Sequence, residues 1–286
     1  MTAIEPVDTH TCTLNVYLPY AHDHFGDRAA IPSFPDAVTT RAIMEQCSFA
    51  TAYTLGLLGT DDVPMYAMDY SEVSRPEELV KVSSTEVSAV CRFEETRAND
   101  RRRTYRLAAT STLTAGSSTL ARGRLEVAVL RKNLYRRWRG AGVVRAGHLA
   151  DPHSSTADSG APGQQPHARS RGVLDGLSVS DDQTTAALRL PVGHSYLLPL
   201  SADHVLARLF AEAARQTVLA AHNRDRTVLT SLKLSFHQVC PLDEPVTIRA
   251  VRIRGTAKVT TWEIGFRSAD QRVCTAVADT ALVHSG

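Results

Sequence analysis

The sequence predicts an α+β fold built twice. Three observations carry that prediction: a long helical stretch precedes a run of strand-like segments, the same order recurs later in the chain, and a stretch with little periodic hydrophobicity lies between the two. The first copy reads AIMEQCSFATAYTLG, then YAMDYSEVSRPEELVKVSSTEVSAVCRFEE, then SSTLARGRLEVAVL. The second reads EAARQTVLAAHNR, TSLKLSFHQVCPLDEPVTIRAVRI and QRVCTAVADTALV. Each runs helix, strand, a turn carrying Pro and acidic residues, and further long strands.

The elements follow in order. A first helix is expected over 37–58, because the Asp36 side chain can accept from its first turn and Gly56 or Gly59 can end it. Apolar or small residues cover most of its circumference, as in a helix wrapped by other structure. Residues 141–182, rich in Gly, Ala, Ser, Pro and His, read as a linker with a flexible part at 148–170. They separate a repeat at 1–140 from a repeat at 183–286. A second helix is expected over 204–222, started by Ser201 or Asp203 and ended by Asn223. Beyond it, Val246–Ile253, Lys258–Arg267 and Arg272–Leu282 alternate apolar or small with polar residues, the period of half-buried strands whose sheets could join edge to edge.

Composition narrows the function classes. With 43% hydrophobic residues in 286, the chain can bury enough surface to fold. No apolar run approaches the roughly 18 to 20 residues of a membrane span, and MTAIEPVDTHTCT lacks the basic and apolar parts of a leader, so a cytoplasmic protein is expected. Net charge is +2, and only Lys81, Lys132, Lys233 and Lys258 among the 32 basic residues are Lys, so arginine abundance alone is poor evidence of a nucleic-acid partner. The basic stretch RKNLYRRWR (131–139), with Tyr135 and Trp138 interleaved, is read as a solvated face or a dock for an acidic carrier protein. Five cysteines without a Cys-x-x-Cys argue against a disulfide framework or zinc, and no Gly-rich phosphate loop, G-x-S-x-G turn or metal-ligand cluster occurs. Neither a metal nor a cofactor is expected.

The stretch HSYLLPLSADHVLARLFAEAARQ, His194–Gln216, resembles the signature of the A-factor biosynthesis (AfsA) family, the γ-butyrolactone autoregulator synthases of actinomycetes, whose second repeat runs about H-P-x-x-F-D-H-P-x-D-H-V-P-G-M-x-x-x-E-A-A-R-Q. LPYAHDHF with FPDAVTTRAIMEQ is a weaker match to that family's first repeat. His194, Asp203, His204, Glu212, Arg215 and Gln216 fall on family positions. Leu198, Pro199, Leu200 and Ser201 replace F-D-H-P, and Leu206 with Ala207 replaces the Pro-Gly pair. Laying Gln46 on the first repeat's glutamine puts Ala42 on its glutamate and Glu45 on its arginine. What the resemblance implies is a double hotdog, two long helices each wrapped by a curved antiparallel sheet with a pocket between them. It also implies acyl transfer in secondary metabolism: a β-ketoacyl group passes from a carrier-protein or coenzyme A thioester to the hydroxyl of dihydroxyacetone phosphate, a small phosphorylated acceptor.

Glu212, Arg215 and Gln216 share one helical face at i, i+3 and i+4, with Arg208 a turn earlier. An exposed Glu-x-x-Arg pair is worth only tenths of a kcal/mol, but on a buried helix both charges need partners and a ligand can supply one. Glu212 and Arg215 are therefore the expected catalytic residues, Arg215 for a phosphate or an oxyanion and Glu212 as base or as its holder. His194, Asp203, His204, Gln216, Glu45 and Gln46 are expected to bind substrate, and the start of the second helix to aim N–H groups at a carbonyl oxygen. The first half has no cation on the equivalent position, and Arg41 can pair with Glu45 and neutralise it, so Arg41→Ala should cost little affinity or rate. His24-Phe25-Gly26 echoes a dehydratase loop. A hotdog dehydratase or thioesterase and a non-catalytic acyl-binding partner are the alternatives, with a homodimer as the assembly considered.

Overall fold

The alternation read from the sequence becomes one antiparallel sheet of thirteen strands. In the computed structural model residues 3–16, 36–74, 87–94, 98–99, 104–140, 143–149, 172–222, 227–256 and 258–282 are described. The first half contributes β1 (Ala3–Pro6), β2 (Thr11–Val16), helix α1 (Ala37–Thr54), β3 (Asp62–Val73), β4 (Val87–Glu94), β5 (Ala98–Asn99), β6 (Thr104–Ala115) and β7 (Ser118–Arg131), followed by short helices α2 (Lys132–Arg139) and α3 (Ala146–Leu149). The second contributes β8 (Leu174–Val179), β9 (Gln183–Leu188), helix α4 (Ala207–Ala220), β10 (Thr227–Phe236), β11 (Val246–Gly255), β12 (Val259–Ser268) and β13 (Gln271–Leu282). The strand order is β1-β2-β4-β6-β7-β3-β10-β13-β12-β11-β9-β8, with β5 on β6. The halves meet at the antiparallel pair β3–β10, from Glu72 opposite Ser231 to Met68 opposite Ser235.

Helix α1 starts as its sequence dictates. Asp36 Oδ1 accepts from the backbone N–H of Val38 (3.1 Å) and Thr39 (3.0 Å), and Gly56, at φ 69°, takes the left-handed turn past the end. The helix buries residues on nearly all sides, from Ala37 to Met44 without a break and then Cys47, Ser48, Thr51 and Ala52. Strands supply the wrapping by period-two alternation, as β4 does when it buries Val87, Ala89, Cys91 and Phe93. Helix and sheet approach closely at Gly123 on β7, where an added Cβ would stand 2.7 Å from Met44 Cε and 3.0 Å from the Tyr70 carbonyl. Helix α4 buries Leu209, Phe210, Ala211, Glu212, Ala213, Ala214, Thr217 and Val218 against β8, β9, β10 and β13.

Two expectations change. Helix α4 begins at Ala207 behind Leu206, without a side-chain cap, because Asp203 is engaged elsewhere and Ser201 stands too far upstream. In the basic stretch, Lys132–Arg139 form a helix that follows directly on the end of β7 at Arg131. The stretch 141–182 contains structure: Ala146 and Gly147 donate to the carbonyls of Ala202 (2.7 Å) and Leu200 (3.0 Å), Val173 is fully buried, and β8 pairs with β9. Strand β8 therefore lies within the stretch read as linker. The stretch 150–171 and the His22–Gly26 region lie outside the described residues. Among those described, no helix is long and apolar enough to cross a membrane.

Candidate functional site

A cavity of about 590 Å³ opens between the two halves. One wall comes from Glu45 on α1 and Tyr66 on β3; the other comes from the start of α4, residues His204 to Arg208 with Phe210, and from Phe236 to Cys240 at the end of β10. Tyr66 meets Phe236 across the seam edge to face at 5.9 Å between centroids, and Phe236 in turn meets Phe210 within the second half at 6.1 Å. This is an apolar floor under a few convergent polar groups, the usual make-up of a small-molecule site.

Asp203 and His204, adjacent in the expected set, form the best-defined polar group at the cavity. His204 Nδ1 lies 2.6 Å from Asp203 Oδ1, and the Tyr135 hydroxyl on α2 donates to both carboxylate oxygens at 2.9 and 2.8 Å. Arg139 donates to the Asp203 carbonyl at 2.6 Å, so α2 is fastened to the approach to α4 at two points. Burial pushes the Asp203 carboxyl up, but the bonds from His204 and Tyr135 and the charge of Arg139 outweigh it and hold it at about 2. With Nδ1 engaged, His204 has Nε2 left for the cavity it lines. Because Leu206 supplies no cap, the first N–H groups of α4, those of Ala207 and Arg208, have no intrahelical acceptor at the same wall.

Glu45 stands on the other wall and is already partnered. Arg41 Nη1 donates to Glu45 Oε2 at 3.0 Å, the Tyr66 hydroxyl donates to Oε1, and Arg41 Nη2 meets Asp69 Oδ2 at 2.5 Å. Burial raises the Tyr66 hydroxyl well above its ordinary range, so it remains a donor. The pairing of Arg41 with Glu45 is the one expected. Arg41 is 2% exposed and also counters Asp69, itself 5% exposed, so Arg41→Ala should cost stability, a quantity separate from the affinity or rate in which little loss is expected.

The E-x-x-R-Q residues gather away from this cavity. Glu212, 2% exposed, accepts from Arg215 Nε at 2.9 Å, again from Arg215 Nη2, and from Gln216 Nε2 at 2.7 Å. Gln216 Oε1 accepts from the Val173 N–H at 3.0 Å, and Arg215 reaches Asp36, the cap of α1, at 3.9 Å. Burial works against the Arg215 charge, but Glu212 and Asp36 hold it firmly protonated. The register that lays Ala42, Glu45 and Gln46 on Glu212, Arg215 and Gln216 also lays Asp36 on Leu206, so the two helix starts are equivalent positions. Glu45 stands by a cavity at the uncapped start of α4, whereas Arg215 stands by the start of α1 already capped by Asp36. His194 Nδ1 accepts from the N–H of Tyr196 (3.2 Å) and Leu197 (3.1 Å), closing a turn, and Gln46 is exposed; neither lines the cavity.

Tyr66 was missed by sequence reasoning, and Tyr135 and Arg208, though noted in the basic stretch and on the helical stripe, were given no role in a site. Arg208 lines the cavity at the second position of α4, its guanidinium 5.0 Å from the Tyr196 ring centre, and its buried Nε has no hydrogen-bond partner among the described residues. Its place on an unpaired helix start was the signal that could have found it. All five cysteines are buried and unpaired, and burial pushes the Cys240 and Cys47 thiols up to about 12, which suits packing rather than attack. No group of three His, Cys, Asp or Glu that could hold a metal occurs among the described residues.

Residues 172–280 match the model of the A-factor biosynthesis hotdog domain. No curated protein matches the chain in sequence. Among solved structures the chain is similar to a MaoC-like dehydratase, with 10% identity over 96% of this chain and 98% of that one and a TM-score of 0.58. It is similar also to a protein from Lactobacillus plantarum provisionally designated an oleoyl thioesterase, with 12% identity over 96% and 97% and a TM-score of 0.54. A third is a conserved protein of unknown function with a hotdog fold from Alicyclobacillus acidocaldarius, with 13% identity over 100% and 97% and a TM-score of 0.51. At these identities the likeness establishes the fold, and the fold is a hotdog.

Proposed function

We propose that this chain, whose residues 172–280 are an A-factor biosynthesis hotdog domain, is a double hotdog that transfers an acyl group from a thioester to a small hydroxyl acceptor in the cavity between its halves. The observation that carries the reading is the Asp203–His204 pair at the uncapped start of α4, facing a cavity with an apolar floor. His204 Nε2 takes the acceptor's hydroxyl proton while Asp203 steadies the imidazolium that forms. The oxygen attacks the thioester carbonyl, and the N–H groups of Ala207 and Arg208 donate to the developing oxyanion. The carbon–sulfur bond then breaks, and the departing thiolate recovers the proton from His204, leaving ester and thiol. The Arg208 guanidinium suits an acceptor phosphate, such as that of dihydroxyacetone phosphate, because its planar fork can give two hydrogen bonds. Glu45, accepting from Arg41 and Tyr66, orients ligand hydroxyls rather than removing protons. Glu212, Arg215 and Gln216 act at a distance, tying the entry of the second half to the cap of the first.

The test is incubation with a β-ketoacyl thioester, with and without dihydroxyacetone phosphate. Thiol release that requires the alcohol is expected. Release without it makes the site a thioesterase, and gain of conjugated absorbance from a 3-hydroxyacyl thioester makes it a dehydratase. Absence of any turnover, with binding retained, leaves an acyl-binding role and sinks the catalytic reading.

A further inference from the structure

Helix α2 has two faces of different character. Leu134, Tyr135, Trp138 and Arg139 turn inward or toward the cavity: Tyr135 and Arg139 hold Asp203, and Trp138, 58% exposed, lines the cavity as its rim. Lys132, Asn133, Arg136 and Arg137 form the opposite, exposed face, at i, i+1, i+4 and i+5. No acidic residue occurs in the helix, and Arg131 just before it is paired with Asp62 at 3.1 Å. Lys132, Arg136 and Arg137 form no salt bridge with the described residues, so three cations stand uncompensated on one short surface. A solvated helix at the rim of a cavity has no need of that bias.

We infer that the outer face of α2 is the dock for a small acidic carrier protein, which delivers its thioester-linked acyl group past Trp138 into the cavity. This rests on the acyl-thioester reading above. Charge complementarity selects the partner's sign, and the direct attachment of α2 to Asp203 and His204 selects its kind, since a partner held here stands beside the group proposed to do the chemistry. A nucleic acid would match the charge but would leave the adjoining cavity unused.

Trp138 provides the readout, because the chain has two tryptophans and the other, Trp262, is 2% exposed. Titration of the intact protein with an octanoyl-loaded acyl carrier protein of the fatty-acid type should shift and quench the emission of Trp138, with an affinity that weakens as salt is raised. The double variant Arg136→Glu, Arg137→Glu should weaken that binding about ten-fold or more. It should leave binding or turnover of octanoyl-pantetheine, which has no protein to dock, within about two-fold of the parent. Equal loss for both probes, no loss for either, no carrier binding by the parent, or tighter binding of a single-stranded oligonucleotide than of the carrier would overturn the inference. Failure of the parent to act on octanoyl-pantetheine while carrier binding keeps its dependence on Arg136 and Arg137 would instead count against the catalytic reading alone.

Discussion

Removing Arg41 should unfold the protein more readily at neutral pH than in mild acid. Arg41 and Asp69 are 2% and 5% exposed and 2.5 Å apart, so Arg41→Ala leaves a buried carboxylate without its counter-charge, a change that typically costs about 3–5 kcal/mol. Burial has already raised Asp69 to about 6 from an ordinary 3.8, with Arg41 limiting the rise. A raised folded-state value means that the native chain binds this proton more tightly than the unfolded chain. The stabilisation it gives is full below 3.8 and is lost as pH climbs through about 6. Without Arg41 the native Asp69 titrates higher still, and each further unit adds about 1.4 kcal/mol to the deficit, which builds up as pH climbs from about 6 through the variant's higher value and is nearly absent below about pH 5. Urea unfolding followed by far-ultraviolet circular dichroism should therefore show the full loss at about pH 8 and a loss smaller by at least about 1.4 kcal/mol at about pH 5. Adding Asp69→Asn should restore much of the difference. A loss under about 1 kcal/mol at pH 8, or one equal at both pH values, would refute the reasoning and mean that the pair is hydrated.

Four further outcomes are expected. His204→Ala should lower kcat/KM for thiol release by about 10²- to 10⁴-fold, and Asp203→Asn should lower kcat more than it changes KM, both read with a thiol reagent in steady-state assays. Arg208→Ala should raise KM for a phosphorylated acceptor about ten- to a hundred-fold, with Arg208→Lys recovering part. Arg215→Ala should appear instead as lost stability in thermal melts, and the reverse pattern would return the substrate to Arg215. Gly123→Ala should destabilise by about 1–3 kcal/mol in the same melts, since Met44 can shift but the Tyr70 carbonyl cannot; no change would show that α1 and β7 have slack.

Much of the fold was legible in the sequence because its causes are local. Asp36 and Gly56 bracket α1, and alternation in Val246–Ile253 and Arg272–Leu282 marks β11 and β13. The start of α4 was misplaced because Asp203 is a good cap by type, and nothing in the sequence shows that its carboxylate is taken by His204 and Tyr135, the latter far away along the chain. Of the candidate site, Asp203, His204 and Glu45 were found by position in a motif or a repeat. Tyr66 and Arg208 were not, because their relevance depends on which strand and which helix end border the same cavity. Arg215 illustrates the converse: an intact motif identified a real buried cluster, but its partners Glu212 and Asp36 are within the protein itself.

The β3–β10 seam gives the two halves a shared fate. Between Met68 and Glu72 the backbone of β3 is bonded on one side by β7 and on the other by β10, so cutting the chain between the halves would strip one side of a long central strand and leave a row of unanswered N–H and C=O groups. A separated first repeat would have a ready remedy in a second copy of itself, since β3 could lie antiparallel to another β3 as it does to β10. Such self-pairing would rebuild a symmetric sheet but bring together two copies of α1, each start capped by its own Asp36. It would lack the open helix start that only the second repeat supplies. Joining two unlike halves in one sheet allows a helix end held closed by a carboxylate and one left open to a ligand to coexist.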